Sequence, residues 1–587
     1  MIKVLINDYI LDLASTGVTI VEKNNMFRNE QTKSFSYPFP LILTDEIAIA
    51  LGISDIKNIC NYPTKINVTV IENSTYYSGY LKISKIVNKT ANITLFYGYE
   101  TLAVYDMLLN TLPFQKVNVA DVKAFAKTQN SKQWPDATHN FVTIKDTDYV
   151  NNNDYSYFEG YINNTLDGDF IENVFVTVDG NSVASNKNIM MPMPYLMEIL
   201  KVGYAQENKV IKGSFVDDVF NHKIVYVPET HLEQFSTTQL DTFDFTTPTI
   251  NYISGQIIYS SYKKQFVATF NGSYKLELKL DLPKEVASFF ELKIDHGGTE
   301  LFSLSSKDEE VHISETLTIS VDDANSNLYV TFSLILKEQV KSIADYIFVK
   351  YEYQETKLNI FNNSYSLANF MPNITFRTFV NLIENIFNLD KNVQENVVYL
   401  NYIDDLLPTI IYDDHSKHET PIPIRFTDNE KVFALKFDDK QELFVNRNGI
   451  VPSTNASNLE NVVSINMPIY PLKFSAAYGK ATVVNTTENT TMKLCLYNGL
   501  VGLEPLAVEV LEGRNLQIKD IYKKWKTWLH FRTNSEIIED SFFASVSENF
   551  NIKKGMTKYN KKHIIKEIQK KSINKNFNKI TIKTETF

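Results

Sequence analysis

Residues 33–52 read KSFSYPFPLILTDEIAIALG, and they limit what this chain can fold into more than any other stretch. Phe35, Tyr37, Phe39, Leu41 and Leu43 fall on every second position, the period of a β-strand, while Pro38 and Pro40 take the alternate positions. Proline has no N–H to offer a neighbouring strand, so the pattern predicts a strand at a sheet edge carrying a large apolar face. The same period recurs in KINVTVIE, YYSGYLKISKIV and ANITLFYG, closely spaced within the first hundred residues. It returns between residues 246 and 356 in QFVATFNGSYKLELKLDLP, FFELKID, ETLTISVDD, NLYVTFSLILKE and YIFVKYEYQE, with turn residues between the runs, and this predicts an inserted antiparallel β-sandwich.

Helical spacing is the minority signal. A short helix starts at Thr44 or Asp45 and ends at Gly52. TLAVYDMLLNTL over 101–112, NVADVKAFAKTQ and PYLMEILKVGY also carry helical spacing. In MPNITFRTFVNLIENIFNLD, Phe376, Phe379, Val380, Ile383, Ile386 and Phe387 form one apolar stripe with Thr375 as N-cap, and DIYKKWKTWLHF places Ile521, Trp525, Trp528 and Leu529 on one side of a helix. A chain of 587 residues is long enough for about three or four domains. The fold class is therefore mainly β (α+β) and multidomain. The expected divisions are 1–116 (a β-domain closed by a helix), 117–245 (mixed), 246–356 (the sandwich), 357–423 (a helix-containing connection), 424–550 (a second β-rich domain) and 551–587 (a basic tail).

Charge and motifs exclude more than they propose. No apolar run approaches the roughly 18 residues of a membrane span, and Asp8 and Asp12 interrupt what would be the apolar stretch of a secretory signal. Cys60 and Cys495 are expected to be reduced and buried. G-x-S-x-G, H-E-x-x-H, Walker A and dinucleotide-binding patterns are missing, so neither catalytic residues nor a cofactor is expected. The best metal-ligand spacing is Asp413, Asp414, His415 and His418, but Lys417 lies inside it among turn-forming residues, and a solvated loop is the favoured reading. Tyr259, Tyr262, Phe266, Phe270 and Tyr274 could stack on sugars, although a two-sheet sandwich needs such residues for its core.

The net charge of −11 is uneven: residues 551–587 hold eleven lysines against Glu567 and Glu585, +9, which leaves −20 for the rest. Lys553, Lys554, Lys561, Lys562, Lys570 and Lys571 are the candidate partner contacts of this basic tail. They could meet DNA phosphates or an acidic protein surface. The lack of arginine favours protein.

The order of segments carries a resemblance. KSFSYPFPLILTDE, then YYSGYLKISKI and ANITLFYGYETLAVYDML, later PYLMEILKVGY and PNITFRTFVNLIENIFNL, and finally KDIYKKWKTWLHF together resemble the tail hub and baseplate hub proteins of tailed phages infecting Bacteroidota, including crAss-like phages. The resemblance covers most of the chain outside the sandwich. It implies a virion tail protein, made in the host bacterial cytoplasm, whose tail-tube-like β-domains form a homo-oligomeric ring around the DNA path. Other tail, ring or portal proteins would dock on that ring. In this setting Phe35, Tyr37 and Phe39 are expected at or just beneath a subunit contact, with the prolines protecting an exposed sheet edge. The alternative is a host-recognition adhesin that binds glycans through the sandwich.

Overall fold

The computed structural model describes residues 2–587 except 14–17, 28–33, 54–62, 73–74, 98–101, 151–157, 179–180, 237–239, 244, 246, 255–256, 269–271, 297, 308, 322–326, 337–342, 344, 354–357, 395, 427–430, 439, 453–458, 484–491, 549 and 575. Strands dominate, as the alternation predicts. The largest sheet has 14 strands and draws them from both ends of the chain. Its N-terminal members are β1 (Ile2–Ile6), β2 (Tyr9–Asp12), β3 (Thr19–Lys23), β4 (Ser34–Ser36), β5 (Phe39–Ile42), β6 (Lys65–Glu72), β7 (Thr75–Val87) and β8 (Thr90–Tyr97), with α1 (Asp45–Ala50) after β5. Its later members are β9 (Tyr412–Asp414), β10 (Ile424–Phe426), β11 (Ile537–Ser545), β12 (Gly555–Lys558), β13 (Lys561–Ser572) and β14 (Phe577–Thr586). They run in the order β2-β1-β6-β7-β8-β4-β3-β13-β14-β11-β10, with β5 also on β8, and β12 joining β13 to β9.

This topology corrects the expectation of a basic tail at 551–587. The segment forms β12, β13 and β14, and β13 pairs antiparallel with β3 from Thr19↔Lys571 to Lys23↔Glu567. Ile564, Ile565, Ile568, Ile580 and Ile582 are buried, so the lysines decorate ordinary sheet strands. The two chain ends are also fastened by side chains. Asn24 donates its amide to the carbonyl oxygens of Ile552 (3.0 Å) and Ile565 (2.8 Å). Arg532, itself buried, donates to Glu585 (3.0 Å) and to the carbonyl oxygen of Phe27 (3.2 Å). The strands before residue 98 therefore share one sheet with those from 537 onward, and neither set is a separate β-domain.

The opening stretch behaves differently on either side of Pro38. β4 lies between β8 and β3, not at an edge, whereas β5 pairs with β8 alone among the described residues, so Pro40 does sit on an edge strand. Along β8 the register is Phe35↔Phe96 before the proline and Phe39↔Ile93 after it. One extra residue has been taken up at the break, which reverses the side on which alternate side chains project. Phe39, Leu41 and Leu43 thus point into the core with Val4, Leu81, Ile83, Ile93 and Leu95, while Phe35 and Tyr37 do not. Buried Ser36 takes the inward place before the break and accepts the Leu95 N–H at 2.8 Å. α1 closes this core, its first turn capped by Thr44 Oγ1, which accepts from Ile47 N.

The expected helix over 101–112 is replaced, among the described residues, by two short 3-10 turns, Ala103–Asp106 and Leu109–Thr111. Their backbone is committed elsewhere: Leu109 donates to Ile374 O and Met107 O accepts from Phe376 N, anchoring the segment against the start of the helix Phe376–Phe387. That central body contains α2 (Val122–Asn130), α3 (Leu196–Ala205), α4 (Phe376–Phe387) and α5 (Lys526–Asn534). α4 follows its predicted stripe residue for residue, with Thr375 as cap and Asn388 ending it in the left-handed region. Gly203 of α3 is needed because a Cβ there would fall on the Phe376 ring. The tryptophan helix is interrupted: Ile518–Ile521 leads through a 3-10 turn into α5, and the carboxylate of Asp404 accepts from Thr527 N (2.8 Å) and Trp528 N (2.9 Å) to cap it.

The sandwich is present, with strands from residue 240 to 353. One sheet orders Leu240–Phe243, Ile347–Tyr353, Gly272–Leu282 and Val311–Val321; the other orders Ile250–Ser254, Ile257–Val267, Asn327–Leu336, Ala287–His296 and Thr299–Lys307. The chain enters and leaves it through a paired ladder of Glu233–Ser236 and Leu358–Phe361.

Candidate assembly surface

The 14-stranded sheet has two faces, and the face opposite the N-terminal core carries an ordered set of rings and cations. Its central row crosses eight strands in register: Ser541, Thr581, Gln569, Val21, Phe35, Phe96, Tyr80 and Asn67. Within that row Tyr80 stacks on Phe96 (centroids 4.8 Å apart, planes 20° apart), and Phe35 lies 6.4 Å beyond. Lys65 Nζ sits 4.6 Å over the Tyr80 ring, and Lys23 Nζ 5.9 Å over Phe35. The ring stack is closed at both ends by ammonium groups, each held by the negative ring face. What remains outward is ring edge, the positive part of an aromatic quadrupole.

A second row runs beside the first. Lys579, Lys571 and Thr19 align at one end, and Thr94, Lys82 and Lys65 at the other. Tyr37 lies between the two groups, donating its N–H to Thr19 O at 3.0 Å and meeting Phe35 edge-on at 6.2 Å. All four lysines and Tyr37 are exposed, and the row contains no carboxylate. On the other side of the ring stack, Glu539, Lys583, Glu567 and Lys23 alternate in sign, with Lys23 and Glu567 4.0 Å apart. One flank is therefore neutralised and the other is purely basic.

The sequence-predicted interface residues divide accordingly. Phe35 is half-buried and Tyr37 is 47% exposed on this outer face, while Phe39, 4% exposed, belongs to the core on the opposite side. The three do not form one patch. Tyr80, Phe96, Lys65, Lys82 and Lys579 complete the surface and were missed. Their alternation in YYSGYLKISKIV and ANITLFYG is plain, but only strand register reveals that they line up with Phe35 and Tyr37. Gly79 enforces that register: a Cβ there would strike the Phe96 carbonyl oxygen and crowd Tyr97.

The lysines predicted to reach a partner mostly serve this chain. Lys554 binds the carboxylate of Asp413 (2.9 Å), Lys561 that of Glu536 (2.9 Å) and Lys570 that of Glu22 (2.6 Å), while Lys553 donates to Asn392 Oδ1 (2.9 Å). Lys562 Nζ lies 5.0 Å over the Tyr412 ring. Of the six, Lys571 is the one that stands in the exposed basic row.

The Asp413–His418 region is likewise engaged internally. His418 Nε2 lies 2.7 Å from Glu548, Lys417 lies 2.9 Å from the same carboxylate, and Asp414 accepts from Ser416 N. Partial desolvation would raise Glu548, but the Lys417 and His418 contacts prevail and hold it at about 2. Among the described residues no group of three or more His, Cys, Asp or Glu is placed to hold a metal ion. Of the sandwich aromatics, Tyr262, Phe266 and Tyr274 are buried in the core and Tyr259 is half-buried; Phe270 lies outside the described residues. Cys495 is buried and unpaired, and Cys60 lies outside the described residues. No helix among them is long and apolar enough to cross a membrane.

No family model matches the chain, and no curated protein does. Solved structures give weak likenesses. Dimeric latent PorU from Porphyromonas gingivalis aligns at 6% identity and TM-score 0.14, over 23% of this chain and 14% of that one. The infectious bursal disease virus VP2 subviral particle aligns at 11% identity and TM-score 0.12, over 50% and 76%. A Paenibacillus cycloisomaltooligosaccharide glucanotransferase complexed with cycloisomaltoheptaose aligns at 8% identity and TM-score 0.12, over 59% and 44%. At these scores none carries an argument about function.

Proposed function

We propose that the chain is a structural component of a phage tail, a tail hub, whose copies form a closed ring around the DNA path and dock neighbouring tail or portal-side proteins. Its work is assembly, and it makes and breaks no bond. The observation that supports this reading is the outer face of the 14-stranded sheet, where Phe35, Phe96 and Tyr80 form a capped stack beside exposed Tyr37. Soluble monomers seldom present such contiguous aromatic surface without a partner for it. The convergence of both chain ends into one sheet gives that face a rigid support, which a repeating contact in a ring requires.

The test is direct. Cryo-EM class averages and mass photometry of the purified full chain should give annular particles whose mass is a whole multiple of 67.5 kDa. A single 67.5 kDa species at every soluble concentration, with no annular class, would overturn the reading.

A further inference from the structure

The outer face has a defined chemistry, and the charge of the molecule says what can meet it. The strands of the 14-stranded sheet hold fourteen lysines and arginines against nine carboxylates, +5, leaving −16 for the rest of the chain. The fold thus gathers positive charge at the sheet and leaves the central body and sandwich acidic. Within the sheet the excess is local: Lys65, Lys82, Lys571 and Lys579 stand exposed in one row with no carboxylate among them.

We propose that this basic row and the adjoining ring stack are the donor side of a head-to-tail contact, seated on the acidic remainder of a second copy. The proposal rests on the ring reading above and adds the partner surface to it. Three observations favour a second copy over a nucleic acid. The faces of the three stacked rings, Phe35, Phe96 and Tyr80, are already occupied, by one another and by Lys65 and Lys23. The outward ring edges and ammonium groups match carboxylates instead. The cations of the row are all lysine, without the planar fork that arginine offers to phosphate. Eight strands at about 4.8 Å spacing span about 34 Å, and three rows of alternate residues about 14 Å, so the rows form a strip of roughly 480 Å², the central part of the ~800 Å² each partner contributes to a stable interface. A contact between unlike surfaces repeats around an axis and closes a ring when the rotation permits.

The experiment compares the full chain with a K65E/K82E/K571E/K579E variant, by mass photometry and sedimentation at 50 mM and 500 mM salt. All four positions are exposed, and an unchanged circular dichroism spectrum and melting temperature would verify the fold. Wild-type association that weakens with salt, and a variant whose association is at least ~100-fold weaker, would support the contact. A variant that forms the same rings at the same concentrations would overturn it while leaving the ring reading intact. A wild-type chain that never leaves the monomer would overturn both. Tight binding of a labelled single-stranded oligothymidine by wild type, lost in the variant, would assign the face to nucleic acid and overturn the protein contact.

Discussion

Two β regions of this molecule use the same alternating code and spend it in opposite ways. In the sandwich a second sheet covers the first, and Tyr262, Phe266, Tyr274 and Tyr351 turn inward, with Tyr274 stacked on Tyr351 at 4.6 Å. Three of its lysines lie within reach of carboxylates: Lys275 with Glu277, Lys293 with Glu291, Lys350 with Glu352. In the terminal sheet the apolar core lies on one face, and the aromatic residues of the other face look outward, capped by lysines rather than by a second layer. What an aromatic strand contributes is thus decided by what stands opposite it. Closed on both sides, it gives stability; open on one, it gives a surface for assembly.

The largest expected effect tests that division. Phe266→Ala empties a closed core and should cost about 3–5 kcal/mol, read as a lowered denaturation midpoint of the sandwich. Phe96→Ala removes a half-buried ring from the open face and should cost only about 1 kcal/mol, mostly its share of the stack. Equal losses in chemical denaturation of the two variants would mean that the outer face is as structural as the core.

Solvent conditions should separate the regions too. His139 is fully buried in the central body, its ring nitrogens 2.9 Å from the Thr138 hydroxyl and 2.7 Å from the Tyr365 hydroxyl, among the rings of Phe125 and Phe141. Burial pushes it down to about 3. The unfolded imidazole takes up its proton near pH 6.5, which the buried one refuses until about 3, so this contribution is whole above pH 6.5 and drains away as the pH falls towards 3. By pH 5 the loss from this group should be roughly 2 kcal/mol, and His139→Gln should remove that share, leaving the share of His231, which burial pushes down to about 4. The rows of the open face hold no histidine, so association measured at pH 7 and pH 5 should change little while the contribution of His139 is lost. The same change of midpoint between pH 7 and pH 5 in wild type and in His139→Gln would remove His139 from the account.

How far the sequence shows all this depends on range. Local periodicity is legible: α4 with its Thr375 cap, α1 with Thr44, and the sandwich strands need only neighbours a few residues away. The pairing of β3 with β13, more than five hundred residues apart, has no local signature, and the lysine count of 551–587 conceals buried isoleucines at 564, 565, 568, 580 and 582. The one-residue break at Pro38 hides similarly. An uninterrupted alternation from Phe35 to Leu43 puts five side chains on one face, and the register shift divides them. Of the candidate surface, Phe35, Tyr37 and Lys571 were therefore readable, while Tyr80, Phe96, Lys65, Lys82 and Lys579 required three-dimensional register.

Gly79 lets that register be tested without touching the surface. β7 and β8 approach so closely at Gly79↔Tyr97 that a methyl group would fall on the backbone of Phe96. Gly79→Ala should cost about 1–3 kcal/mol through overpacking and should displace Tyr80 from Phe96, weakening assembly together with stability. If assembly survives while stability falls, the alignment of the stack does not matter to the contact.

The smallest effect on stability belongs to Tyr37, and it divides the two roles most cleanly. Its ring is half exposed and stands perpendicular to Phe35, so Tyr37→Ser should change unfolding free energy by less than about 0.5 kcal/mol, as surface replacements usually do. Tyr37 nevertheless lies between the Lys579–Lys571 and Lys82–Lys65 groups, at the middle of the proposed contact. Side chains near the centre of an interface, ringed by groups that exclude water, carry a disproportionate share of binding. Mass photometry should then show Tyr37→Ser shifted towards monomer at a concentration where wild type associates, with Ile42→Ser, exposed on β5 across the register break, unchanged. If Ile42→Ser dissociates the protein and Tyr37→Ser does not, the contact lies beyond the Pro38 break, and Tyr37 with the basic row beside it is left without its role.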